Sequence, residues 1–170
     1  MPEHLFLTGK KRVGKSTLLQ RILPAFPRPV GGFYTLRTAG VVPSVRSVHL
    51  LRAGTNERPT LNNLLFLCTP HDPAQAAARF DALGCAALEA SAGAALWVMD
   101  ELGPNESAAQ RFCAAVLAAL DGAIPILGVL QEADTPFLQQ VAAHPRVRVV
   151  RVTEENRDAL ARALPQKFCR

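Results

Sequence analysis

The chain has 170 residues, 49% of them hydrophobic and 19% charged, with a formal net charge of +5. That length suits a single domain spanning residues 1–170, with enough chain to bury a substantial core. No apolar run reaches the ~20 residues of a membrane-spanning helix, and Glu3 leaves no room for a signal peptide, so a cytoplasmic protein with no membrane partner is expected.

In chain order, residues 4–8 read as a short buried strand that runs straight into Gly9-Lys10-Lys11-Arg12-Val13-Gly14-Lys15-Ser16-Thr17. This is a complete G-x-x-x-x-G-K-[ST] loop. Its glycines let the backbone curl until successive N–H groups point inward and form an anion-binding concavity. The loop from Thr8 to Thr17 is therefore the expected nucleotide-binding segment. Lys15 reaches the β- and γ-phosphates, and the Ser16 hydroxyl is a ligand for Mg²⁺. Leu18, Leu19, Ile22 and Leu23 follow at helical spacing until Pro24, which places a helix dipole behind the same site.

The 30–68 segment differs in character. Strand-like runs at 33–37, 44–52 and 64–68, separated by Gly40, Gly54 and Asn56, predict an antiparallel excursion. An alanine-rich helix is expected over 72–90, broken at Gly84. Strands at 94–99, 124–130 and 147–152 then alternate with helices at 107–120, 137–143 and 154–164. Such order implies an α/β fold of three layers, a mainly parallel sheet flanked by helices.

The strand over 94–99 delivers Asp100 and Glu101. A carboxylate at the end of a central strand, on the edge that carries the phosphate loop, is the second part of a nucleotide site. Asp100 is expected to bind Mg²⁺ beside Ser16, and Glu101 to orient and deprotonate the attacking water. Lys15 and Glu101 are thus the expected catalytic pair. Glu106 is within reach of the site or else caps the next helix.

Charge and cysteine complete the reading. Residues 1–60 carry ten Lys and Arg against Glu3 and Glu57, whereas the remainder carries nine against twelve acids. A cationic half can mark nucleic-acid binding, but few aromatics accompany it and Lys10, Lys11 and Arg12 lie inside the phosphate loop. Nucleic acid stays a secondary alternative, and a protein partner is left open. Cys68, Cys85, Cys113 and Cys169 are scattered without a C-x-x-C pair, so reduced, mostly buried thiols are expected. His4, His49, His71 and His144 are assigned no role.

Four passages together resemble the thermophilic-type, or cancer-related, nucleoside-triphosphatases. They are the loop at 9–17, Gly32-Phe33-Tyr34-Thr35, Met99-Asp100-Glu101-Leu102-Gly103 and Val152-Thr153-Glu154-Glu155-Asn156-Arg157. The resemblance implies a RecA-like core and slow, Mg²⁺-dependent hydrolysis of ATP, GTP and other triphosphates with loose base selectivity. It also implies that Asn156 and Arg157 lie at the nucleotide pocket near base or ribose, or that Arg157 stabilises transition-state charge. The chain departs from the family at 39–48, where the usual Gly-Phe hairpin ending is missing, and at Pro104-Asn105-Glu106, where only the glutamate is kept. Two other readings of the same loop remain. One is a small-molecule kinase, with Arg37, Arg46, Arg52 and Arg58 as cations. The other is a nucleotide-dependent switch similar to the P-loop adaptors of molybdopterin-guanine-dinucleotide assembly.

Overall fold

The computed structural model describes residues 3–168, so Cys169 lies outside the described residues. In chain order the elements are β1 (His4–Thr8), α1 (Lys15–Ile22), β2 (Val30–Val42), β3 (Val45–Arg52), β4 (Leu64–Leu67), α2 (Pro73–Glu89), β5 (Leu96–Leu102), α3 (Gln110–Asp121), β6 (Ile126–Leu130), α4 (Pro136–Ala143), β7 (Val147–Arg151) and α5 (Arg157–Phe168). The strands form one sheet in the order β4-β3-β2-β5-β6-β1-β7. Side chains alternate across a strand, and here that alternation sorts the apolar residues into two cores. Leu5 and Leu7 of β1, Leu96 and Val98 of β5, and Leu127 and Val129 of β6 pack with Leu18, Leu19 and Ile22 of α1 and Leu164 of α5. Phe6, Met99 and Ile126 from the same strands point the other way, to Phe80 and Leu88 of α2, Phe112 and Val116 of α3, and Phe137 and Val141 of α4. The result is the expected three-layer α/β arrangement.

The antiparallel excursion over 30–68 is present as expected, and it is continuous with the central sheet. β2 pairs with β5 in parallel on one side and with β3 antiparallel on the other, so 30–68 extends the central sheet. Several boundaries differ from the sequence expectation, each for a local reason. Helix α2 runs unbroken through Gly84, because the missing side chain lets α3 approach: a Cβ there would lie 2.2 Å from Cδ2 of Phe112. Strand β5 continues past residue 99 to Leu102, which puts Asp100 and Glu101 inside the strand, joined by a cis peptide. A 3₁₀ turn, Pro104–Glu106, precedes α3 and delays its start to Gln110. The last helix begins at Arg157 because Thr153 and Asn156 first close a turn on each other: the Thr153 N–H donates to Asn156 Oδ1 (2.8 Å) and the Asn156 N–H to Thr153 Oγ1 (3.2 Å).

Two buried histidines are structural. The ring of His4 accepts the Ile126 N–H at Nδ1 (3.1 Å), which leaves Nε2–H to donate to the Leu120 carbonyl (2.9 Å); burial holds its pKa below the ordinary value. His49 lies between Asn63 Oδ1 (2.9 Å) and Ser47 Oγ (2.7 Å). This Ser–His–Asn row has the order of a hydrolytic triad, but Ser47 and His49 are fully buried and the row ties the 58–63 segment to β3.

Candidate active site at the phosphate loop

The loop between β1 and α1 has the backbone that its glycines predict. Gly9 (φ 144°) and Gly14 (φ 97°) both occupy the region of positive φ. At Gly9 a side chain is excluded outright, since a Cβ would sit 2.5 Å from the Val152 carbonyl oxygen. Gly14 is the N-cap of α1, and its carbonyl accepts the Leu18 N–H at 2.8 Å. Lys15 is buried, and its ammonium donates to the carbonyls of Gly9 (2.8 Å) and Lys10 (2.7 Å). It is thereby held across the mouth of the loop. Val13 is buried beneath the loop, while Lys10, Lys11 and Arg12 are exposed around it.

Parallel pairing brings the acid pair to the same edge. The Ser16 hydroxyl donates to Asp100 Oδ1 at 2.8 Å, joining residues 84 positions apart. Thr35 of β2 fixes the backbone of the pair: its hydroxyl donates to the Asp100 carbonyl (3.4 Å) and accepts the Glu101 N–H (3.3 Å). The Glu101 carboxylate accepts from the Gln131 side-chain amide, just beyond β6. Ser16, Thr35, Arg37, Asp100, Glu101, Asn105, Glu106 and Gln131 line one cleft of ≈ 200 Å³. Sequence reading singled out Ser16, Asp100 and Glu101, weighed Glu106 and, as a kinase cation, Arg37, named Thr35 and Asn105 only in comparing the chain with the family, and missed Gln131. A signal for Gln131 was present, because it follows an apolar strand just as Asp100 follows 94–99.

The cleft is rich in buried acid. Desolvation pushes the Asp100 carboxyl up to about 6, and the Glu101 charge adds to this; the Ser16 hydrogen bond and Lys15 act the other way. Burial pushes Glu106 further, from 4.5 to about 8, although its carboxylate accepts the Gly103 N–H at 2.9 Å. Glu106 is therefore protonated at neutral pH, and its position just after β5 serves both the cleft and the 3₁₀ turn. The unfolded chain releases this proton near 4.5 and the folded chain holds it to about 8. Folding thus takes up a proton in that window, and stability falls as pH rises through it, by up to ~1.4 kcal/mol per pH unit. Between about pH 6 and pH 8, above the Asp100 value, urea midpoints should drop in the wild type and stay level in Glu106→Gln. Parallel midpoints in the two proteins would contradict the assignment.

A family model described as NTPase matches residues 4–164. The chain belongs to this NTPase family. A curated relative, the cancer-related nucleoside-triphosphatase homolog of Bos taurus, is 29% identical over 184 aligned positions, covering 94% of this chain and 93% of that protein. The NTPase also shares its fold with THEP1 from the hyperthermophile Aquifex aeolicus (TM-score 0.74, 19% identity, 98% of this chain and 99% of the other). It shares it likewise with a human cancer-related nucleoside triphosphatase (TM-score 0.65, 22% identity, 97% and 96%). Family membership makes the NTPase a nucleotide-binding P-loop hydrolase.

The remaining residues of interest separate in space. Arg157 of the NTPase lies on the other flank of the loop, where its guanidinium donates to the Val13 carbonyl (3.4 Å) and lines a second cleft of ≈ 240 Å³ with Gly14 and Thr17. The Asn156 amide closes its own turn and also donates to the Arg151 carbonyl (2.9 Å). Of the arginines weighed as cations for a kinase, Arg37 lines the acid cleft, whereas Arg52 and Arg58 line a different one of ≈ 490 Å³. The thiols of Cys68, Cys85 and Cys113 are free; burial pushes Cys113 up to about 11 and raises Cys85, so neither is a thiolate at neutral pH. No helix among the described residues is long and apolar enough to cross a membrane.

Proposed function

We propose that this NTPase hydrolyses nucleoside triphosphates, ATP and GTP among them, to diphosphate and phosphate in a slow, Mg²⁺-dependent reaction with little base selectivity. The observation that carries this reading is the Ser16–Asp100 hydrogen bond with Glu101 next in the strand, beside a complete phosphate loop. Ser16 and Asp100 offer hard oxygen donors, the kind Mg²⁺ selects. Among the described residues no cluster of three His, Cys, Asp or Glu could hold a metal by itself, which suits an ion that arrives with phosphate oxygens. When bound, Mg²⁺ supplies charge neutralisation on the β- and γ-phosphates.

The chain's own groups divide the work. Backbone N–H groups of residues 9–17 and the Lys15 ammonium bind the phosphates, and Arg157, on the flank of the loop beside Gly14 and Thr17, contacts base or ribose. Glu101, oriented by Gln131, takes a proton from a water whose oxygen attacks the γ-phosphorus. The bond from that phosphorus to the β–γ bridging oxygen breaks, and its electron pair leaves with the diphosphate. The free thiols of Cys68, Cys85 and Cys113 support a reducing, cytoplasmic setting.

The test is phosphate release from ATP and from GTP without an acceptor, with Mg²⁺ and with excess chelator. One diphosphate per phosphate, lost on chelation, is expected. Triphosphate consumption only with a hydroxylated acceptor would favour the kinase reading; tight binding without turnover would favour the switch.

A further inference from the structure

Beside the Lys15 ammonium of the phosphate loop, the acid cleft is lined by a second cation, Arg37. In the transition state of phosphoryl transfer, negative charge spreads over the γ-oxygens, and a cation aimed there is worth far more than one that binds the ground state. Lys15 serves the phosphates from the loop side in ground state and transition state alike, and Arg157 lies on the opposite flank against the Val13 carbonyl. Arg37 is placed differently. Tyr34 of β2 pairs with Asp100 of β5, and the neighbouring Thr35 hydroxyl joins the backbone on both sides of the Asp100–Glu101 peptide. Two residues further on, Arg37 emerges on the same face of the strand as Thr35. It lines the cleft together with Ser16, Asp100, Glu101 and Gln131. Among the described residues its guanidinium makes no hydrogen bond and no ion pair, and it is exposed. A permanently charged, five-donor group therefore stands unengaged beside three carboxyl groups, within a strand tied to the acid pair.

We propose that Arg37 is a further catalytic residue, supplying in cis the cation that stabilises the γ-phosphoryl group during transfer. The proposal rests on the hydrolase reading of this cleft. Because Arg37 is solvent-exposed, its replacement leaves the core intact. Arg37→Ala should lower kcat by ~10³-fold, the scale of a cis or trans arginine in this chemistry, while KM changes by no more than about threefold. Arg37→Lys, which keeps the charge but loses the planar fork, should recover only part of the rate.

A binding measurement separates a transition-state role from a structural one. With Mg²⁺ present, wild type and Arg37→Ala should bind diphosphate equally. Only the wild type should bind diphosphate with aluminium fluoride more tightly than diphosphate alone. Unchanged kcat in Arg37→Ala, a loss confined to KM, or tight fluoride-complex binding by Arg37→Ala would overturn the proposal and leave the hydrolase reading standing. A wild type that binds nucleotide but releases no phosphate would overturn both.

Discussion

Lys15→Ala is expected to abolish tight nucleotide binding and, with it, turnover. The ammonium is buried and lies 2.8 and 2.7 Å from the carbonyls of Gly9 and Lys10, so it is already aimed across the loop that would enclose the phosphates. Two charge-assisted bonds of ~1.5–3 kcal/mol each correspond to roughly 10²–10⁴ in affinity. Titration of the purified protein with ATP or a fluorescent analogue measures this directly. The loss would come from the site and not from unfolding, because α1 keeps its packing through Leu18, Leu19 and Ile22; a retained thermal transition checks the point. Affinity within a few-fold of wild type would mean that the loop does not hold the phosphates.

Glu101→Gln is expected to separate binding from chemistry. Glutamine keeps the shape and the acceptor oxygen that faces Gln131, and β5 keeps its pairing to β2 and β6. What disappears is the ability to accept a proton from water. General-base help is worth ~10²–10⁴ in rate, so kcat should fall by that factor while nucleotide affinity holds. Single-turnover phosphate release beside equilibrium binding makes the comparison. Turnover at the wild-type rate would move the base elsewhere. Glu106 is a poor replacement, since its carboxyl is held protonated to about 8.

Much of this was legible in the chain because the physics is local. The Gly9–Thr17 loop is recognisable because positive φ at Gly9 and Gly14 needs glycine and because Lys15 and Ser16 sit at fixed offsets from them. Apolar runs of strand length at 94–99 and 124–130 stand out for the same reason: both faces of a central parallel strand are buried. Local signals also misled. Gly84 reads as a helix breaker in sequence, yet its purpose is a tertiary contact with Phe112 that no local rule shows. Glu154 and Glu155 look like a helix start until Asn156 and Thr153 are seen to close a turn on each other.

By itself, then, the sequence determined the phosphate loop, the acid pair, the alternation of strands and helices and the family. It could not determine which distant side chains share the cleft. Thr35 and Arg37 come from strand β2 and Gln131 from just beyond β6, and only the sheet order β2-β5-β6 places them beside Asp100 and Glu101. Nor could it separate Arg37 from Arg52, because strand direction and pairing decide which end of β2 faces the loop. The physical reason is the same throughout. Dihedral preference and hydrophobic period act over a few residues and can be read in order, whereas pairing, burial and the perturbed acidity of Asp100 and Glu106 arise from groups that meet only when the sheet assembles.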